Sequence, residues 1–324
     1  MKIKTVDINN KIVLAPLAGY TDSTFRRIVK SFGVGLVFSE MISAKGLIYD
    51  NKKTSALTIV RPEEHPIAMQ IFGGEVDALV QAGVILNRDS DCDIIDINMG
   101  CPVRKVLKAN AGCMLLNDIQ KIENIVKSIV AVVSKPVSVK IRAGWDHNNI
   151  NCVAVAQAAE RAGASLITIH GRTKSDLYRG KVNLNYIKAV KEAVGIPVIG
   201  NGDIQSLEDA IKMLNATGVN FLMVGRGALG NPWLIRDLVD YFAGKPLSPP
   251  PTVYEKIEMC LKHFTMLLAD KPEKTAVMEM RSWAAWYLKG IKNGRLIRQK
   301  LMRIKERQEL IAFLSKLNQG DIIS

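Results

Sequence analysis

Pro66, Pro136 and Pro197 each open a short apolar run, and four residues on each run carries a polar side chain: Gln70, Lys140 and Asn201. Two comparable runs end in Asn98 and His170. Amide, ammonium and imidazole groups converging on one cavity suit a planar heteroaromatic ligand with carbonyl and ring-nitrogen acceptors. Taken singly, Gln70 and Asn98 read as loop ties and His170 as a structural hydrogen-bonder. Lys140 is harder to dismiss, because a lysine at a buried strand end needs an anionic or polar partner. The five together, at equivalent places, read as a site.

Asn98-Met99-Gly100-Cys101-Pro102 follows the fourth run and opens an irregular stretch that reaches a helix at Asp118. A thiol on such a loop serves as nucleophile or proton donor. An ordinary cysteine pKa of about 8.5 leaves it mostly protonated at neutral pH, which suits a general acid. Cys92, Cys152 and Cys260 read as small buried hydrophobes, and Cys113 fits either reading. Gly200, Gly202, Gly225 and Gly227 allow backbone N–H groups to approach a phosphate, with Arg226 adding charge; tight turns are the alternative. Gly225 to Gly230 also matches G-x-G-x-x-G, but it closes the series of strands instead of opening a βαβ unit, so a dinucleotide turn is rejected. With four His, no H-x-x-x-H spacing and no C-x-x-C pair, no metal site is expected.

The elements that must position these groups are legible as alternation. Strand-like runs begin at Ile12, Leu36, Ile67, Ile94, Val137, Leu166, Val198 and Phe221. Between them lie helix-patterned stretches such as Ile119 to Val133, Asn151 to Ala162 and Leu207 to Leu214. Strand then helix, repeated eight times, predicts parallel βαβ units closed as a (β/α)₈ TIM barrel, with a doubly wound open sheet as runner-up. In such barrels chemistry sits at the C-terminal strand ends, where the polar set falls. The pattern ends near residue 243. A Pro-rich linker over 244–251 leads to a small all-helical domain over 252–324, with helices expected at Val253 to Leu268, Thr275 to Leu288 and Ile297 to Leu317.

The N-terminus has no apolar leader and charges interrupt every long apolar stretch, so neither a signal peptide nor a membrane span is expected. Five scattered cysteines argue for a reducing, cytoplasmic setting. The formal charge of +13 favours an anionic partner. Lys289, Lys292, Arg295 and Arg298, at i,i+3 spacing, would form a phosphate-tracking stripe along one side of a helix, the alternative being a solvated face.

Together these residues resemble the tRNA-dihydrouridine synthase family, in particular its bacterial B-type branch. The matching segments are Ala15-Pro16-Leu17-Ala18-Gly19-Tyr20-Thr21-Asp22, Gln70-Ile71-Phe72-Gly73, and Asn98-Met99-Gly100-Cys101-Pro102 with Lys105-Val106. They continue with Lys140-Ile141-Arg142, His170-Gly171-Arg172-Thr173, Gly200-Asn201-Gly202-Asp203-Ile204, Gly225-Arg226-Gly227 and Trp286-Tyr287-Leu288-Lys289-Gly290. The resemblance implies an FMN-dependent, NADPH-using enzyme that reduces the C5–C6 bond of selected uridines in tRNA, taking hydride from flavin N5 to C6 and a proton from Cys101 to C5. It implies that Pro16, Leu17 and Ala18 border the flavin, that Gln70 and Lys140 bond its ring, and that His170, Asn201, Gly202, Asp203, Gly225 and Arg226 hold the ribityl chain and phosphate. Asn98 would orient the uracil, Arg142 and Arg172 would meet uracil oxygens or tRNA phosphate, and the Lys289–Arg298 set would bind tRNA. A monomer is expected. The competing reading is a small-molecule flavin dehydrogenase of the dihydroorotate or dihydropyrimidine type, which has little use for a basic helical tail.

Overall fold

The computed structural model describes residues 1–318. Its eight barrel strands are β1 (Ile12–Leu14), β2 (Leu36–Phe38), β3 (Ile67–Phe72), β4 (Ile94–Met99), β5 (Val137–Arg142), β6 (Leu166–His170), β7 (Val198–Asn201) and β8 (Phe221–Val224). Each pairs in parallel with the next, β8 pairs with β1, and β2 pairs with β3, so the sheet closes on itself. All eight expected strands are present, and closure removes the open-sheet alternative.

Strand alternation divides the apolar residues into two cores. One face of every strand meets the surrounding helices: Ile95, Ile97, Val139, Ile141, Ile167 and Ile169 pack there with Ile122, Val126 and Val155. The other face points inside. Its lower part is apolar, with Val13, Leu36, Phe38, Ala68, Ile94, Leu166, Ile199 and Phe221 packed together. The bottom is stopped by an antiparallel hairpin, Lys2–Ile3 with Val6–Asp7, whose Ile3 and Val6 join this core along with Ile8. The upper part of the same inward face is polar, and that is where the site lies.

Local chemistry sets the helix starts. Asp22 accepts the N–H of Phe25 to open Ser23–Ser31, Ser206 accepts that of Asp209 to open Leu207–Thr217, and Pro232 opens Pro232–Phe242. Thr252 and Glu255 form a reciprocal capping box at the head of Val253–Asp270. Glu273–Tyr287, Gly294–Leu301 and Arg307–Asn318 complete the helical region.

Three expectations change here. The helix expected over Ile297 to Leu317 is two helices, because the chain turns after Leu301 to bury Ile304, and Arg281 Nη1 donates to the Met302 and Ile304 carbonyls at 3.1 Å. Nor is the stripe of Lys289, Lys292, Arg295 and Arg298 one helical face. The preceding helix ends at Tyr287, so Lys289 and Lys292 lie in the turn and only Arg295 and Arg298 are helical; all four remain exposed. The stretch after Cys101 is also more ordered than expected. It holds a helix at Arg104–Lys108 and a 3₁₀ segment at Gly112–Asn117, pinned by buried Val106, Leu115 and Leu116.

The helical region is seated on the barrel. Trp283 is buried against Phe25, 4.5 Å between ring centroids, and meets Tyr20 edge-on at 5.4 Å. Asp270 takes hydrogen bonds from Thr24 and Arg27, and Lys271 Nζ bonds Asp22 and Glu279 at 2.6 Å each. Among the described residues no helix is long and apolar enough to cross a membrane.

Gly230 sets how closely the two parts approach. It has φ +63°, and a Cβ there would stand 2.4 Å from both the Trp286 carbonyl carbon and the Tyr287 nitrogen. Gly230→Ala should cost about 3 kcal/mol through clash and strain, whereas Gly244→Ala, at φ +70° with open space around it, should cost only about 1 kcal/mol. Denaturant titration of both variants checks this; equal losses would mean that the contact is not tight.

Candidate active site

Inward-facing polar residues crowd the upper barrel. The register pairs Gln70 with Asp96, Asp96 with Ser138, Asn98 with Lys140, Lys140 with Thr168, and Asn201 with His170. Every expected amide, the lysine and the histidine therefore fall on neighbouring strands. Lys140 Nζ donates to Asn201 Oδ1 at 2.9 Å, and Asn201 Nδ2 donates to the Met223 carbonyl at 2.9 Å. Asn98 Nδ2 donates to Gln70 Oε1 at 2.7 Å. Burial, aided by the nearby Arg142 charge, pushes the Lys140 ammonium down to about 8. Burial and the cations Lys140, Arg142, Arg172 and Arg226 hold His170 well below the ordinary histidine range, so it is a neutral imidazole at pH 7.

Cys101 follows β4, nearly buried beside Val106 and Ala111, and burial raises its thiol above the ordinary value. The group is therefore a thiol at neutral pH. Asn98 Oδ1 accepts the N–H groups of Gly100 and Cys101 at 3.1 and 2.9 Å, so the same asparagine lies in the polar layer and holds the loop. Cys113 donates its N–H to the Cys101 carbonyl at 3.1 Å, and burial pushes its own thiol up to about 12. Cys113 is a support for the loop.

Pro16, Leu17 and Ala18 follow β1, with Ala18 exposed; Thr21 Oγ1 takes the Leu17 N–H at 2.9 Å, and Glu40 takes that of Gly19. After β7 and β8, Gly202 and Gly225 offer bare backbone. At φ +131° Gly202 is so crowded that a Cβ would meet Val182 Cγ2 at 2.6 Å and His170 Cδ2 at 3.1 Å. Arg226 is exposed and stacks over Tyr178 at 5.0 Å.

Arg142 ends β5 and Arg172 follows β6 by two residues. Both are buried, and most of their donors are bonded within the protein. Arg142 bonds the carbonyls of Gly100, Thr173 and Leu177 at 2.7–2.9 Å. Arg172 grips Asp203 through both terminal nitrogens, at 2.8 and 2.6 Å, and bonds the carbonyls of Arg179 and Gly180. These guanidinium groups clamp the 173–182 loop. Asp203 is correspondingly committed. Burial would raise its pKa, but the bonds from Arg172 and the Val182 N–H outweigh that and hold it below the usual range.

Asp96, Thr168 and Glu40 were not singled out from the sequence. Asp96 is fully buried one layer below Asn98, and its place two residues earlier on the same strand face was the available signal. Thr168 Oγ1 is buried without a hydrogen-bond partner. An unpartnered hydroxyl beside a lysine displaced to about 8, with a neutral imidazole and glycine turns at the rim, fits a ring ligand that carries acceptors and a phosphate tail. Among the described residues no group of three or more His, Cys, Asp or Glu could hold a metal ion.

The family described as Dihydrouridine synthase (Dus) matches residues 13–320. The chain belongs to that family. It is 40% identical over 314 residues to tRNA-dihydrouridine synthase B of Pasteurella multocida strain Pm70, covering 96% of this chain and 94% of that one. It is 36% identical to tRNA-dihydrouridine synthase B of Pseudomonas putida strain KT2440, covering 99% and 96%. Among solved structures, histamine dehydrogenase from Rhizobium sp. 4-9 superposes with a TM-score of 0.55 at 12% identity, over 82% of this chain and 50% of that one. That likeness shows the shared barrel alone.

The Arg172–Asp203 pair should hold the 173–182 loop. Arg172→Met is expected to lose about 2 kcal/mol, less than for a fully buried pair because the Asp203 side chain is 27% exposed. Since Asp203 lies below its ordinary 3.8, this contribution is full above that value and fades only as pH falls through the lower folded one. The gap between variant and wild type should hold constant from pH 7 to about 5 and narrow below about 4. Chemical denaturation across that range, with limited proteolysis of the loop, checks it; a gap that closes already at pH 6 would point to another group.

Proposed function

We propose that this enzyme reduces the C5–C6 bond of uridines in tRNA to 5,6-dihydrouridine, with FMN as bound cofactor and NADPH as reductant. The observation that carries the reading is the inward layer of Gln70, Asn98, Lys140, His170 and Asn201 with the Cys101 thiol held at its rim by Asn98, in a chain of the dihydrouridine synthase family.

Gln70 and Lys140 would hold the flavin ring, with Pro16, Leu17 and Ala18 along its edge. Asn201, His170, Gly202, Gly225 and Arg226 would take the ribityl chain and phosphate, while Asp203 serves them by fixing Arg172. When bound, the flavin supplies the hydride that reaches C6 of the uracil. Lys140 contributes positive charge within the barrel, where the low local dielectric strengthens it. Asn98 would orient the uracil. Cys101, kept protonated by burial, delivers its proton to C5 as charge develops on the uracil, and the thiolate left behind regains a proton readily because burial disfavours it.

In this reading residues 1–243 form the catalytic domain, 244–251 the linker and 252–324 a tRNA-binding domain of a monomeric, cytoplasmic enzyme. Residues 319–324 lie outside the described residues. The exposed cations Lys289, Lys292, Arg295 and Arg298 attract phosphates from a turn followed by a helix, a geometry suited to a folded RNA rather than to a straight strand. The small-molecule alternative leaves these charges without a use.

Reducing the flavin with NADPH under anaerobic conditions and then adding unmodified tRNA or orotate separates the two readings. Rapid reoxidation by tRNA alone is expected; reoxidation by orotate and not by tRNA would overturn the proposal. Cys101→Ala should keep its yellow flavin and lose about 10²-fold or more in rate, and full activity would remove Cys101 from its role. Reversing charge at Lys292, Arg295 and Arg298 should weaken tRNA binding and reduce its salt slope by about 3. An unchanged slope would take these residues out of the interface.

A further inference from the structure

A series of hydrogen bonds with one sense crosses three strands and ends on the Cys101 loop. Asp96 accepts from Ser138 Oγ at 2.5 Å and from Gln70 Nε2 at 2.7 Å. Gln70 Oε1 accepts from Asn98 Nδ2 at 2.7 Å, and Asn98 Oδ1 accepts from the N–H groups of Gly100 and Cys101. Both ends are chemically fixed, since a carboxylate only accepts and a backbone N–H only donates. Each amide between them has one workable orientation, because flipping either sets donor against donor or acceptor against acceptor. The links are buried, where a mismatched pair is costly.

We infer that Asp96 is a positioning residue that, through Gln70 and Asn98, fixes the orientation of both amides and the place of the loop carrying the Cys101 thiol. Asp96 lies a layer below Asn98 and bonds Gln70 directly, so its effect on the Cys101 loop passes through the two amides. Burial raises its carboxyl to about 6, against the opposing bonds from Ser138 and Gln70 and the charge of Lys140, so it is mostly ionised at neutral pH. Below that, a proton shared with Ser138 still leaves the other oxygen to accept from Gln70, and the sense of the series survives.

A competing role is that of counter-charge to Lys140, and two substitutions separate it from positioning. Asp96→Asn removes the charge but keeps an oxygen for Gln70 while its amide donates to Ser138 Oγ. Asp96→Leu removes the acceptor and frees both amides. The consequences for turnover rest on the proposed function; those for the loop do not. Asp96→Leu is expected to lower kcat about 10²-fold with KM little changed, and to raise alkylation of Cys101 by N-ethylmaleimide, mapped by peptide mass, about tenfold as the loop loosens. Asp96→Asn should stay within about threefold of wild type in both. The Asp96→Leu/Asn98→Ala double variant should be no slower than Asn98→Ala alone. Should Asp96→Leu fail to fold, Gln70→Met cuts the same series at its next link and should give the same rise in labelling. Asn and Leu variants behaving alike, multiplicative losses in the double variant, or wild-type labelling in Asp96→Leu or Gln70→Met would overturn the inference. A wild type that forms no dihydrouridine in tRNA would refute the functional proposal and leave the labelling result to decide this one.

Discussion

A lysine inside a closed barrel constrains everything around it. Burial pushes Lys140 down to about 8, and its ammonium survives at neutral pH only because acceptors and opposing charge lie within reach. Asn201 supplies the nearest acceptor and the buried Asp96 the opposing charge. Asp96 in turn requires donors, which Ser138 and Gln70 provide. The polar layer is thus a connected set, and a change at any member alters what its neighbours must satisfy.

This layer is tolerable because the same strands are apolar below it. The lower interior is filled by valine, isoleucine, leucine and phenylalanine and stopped by the N-terminal hairpin, which keeps water from entering from beneath. Helices cover the outer faces. What remains open is the end where the strands finish and the loops begin, and a ligand must enter there. The two buried arginines serve that opening indirectly. By bonding the carbonyls of one loop and the Asp203 carboxylate, they stiffen the rim.

The helical region adds charge where the barrel has little need of it. Its seat is aromatic and ionic at once, with Trp283 against Phe25 and Tyr20, and Asp270 and Lys271 bonded to the first barrel helix or its cap. Tyr20 comes four residues after Pro16, so the segment proposed to edge the flavin is also a contact of the helical region. A polymer held on the basic turn and helix would therefore lie on a part rigidly joined to the catalytic end.

Much of this was readable from the chain alone. Short apolar runs, helix patterns between them and proline-marked strand starts point to repeated parallel βαβ units, because these are local properties of sequence; the pairing of β8 with β1 decides that they close as a barrel. Placing Gln70, Asn98, Lys140, His170 and Asn201 at strand ends follows from the same count, and the order of motifs is enough for the family. Which donors are free depends on neighbours distant in sequence, and no spacing records that. Arg142 and Arg172 carry no sign in the chain that most of their donors bond loop carbonyls in the fold. Asp96 looks like one polar residue in an apolar run until β3 and β5 bring Gln70 and Ser138 to it. The basic residues from Lys289 to Arg298 suggest a single helical face by spacing, but the end of one helix at Tyr287 and the start of the next at Gly294 divide them between turn and helix. Residue type and period are local; hydrogen-bond commitment and helix termination are settled only by packing.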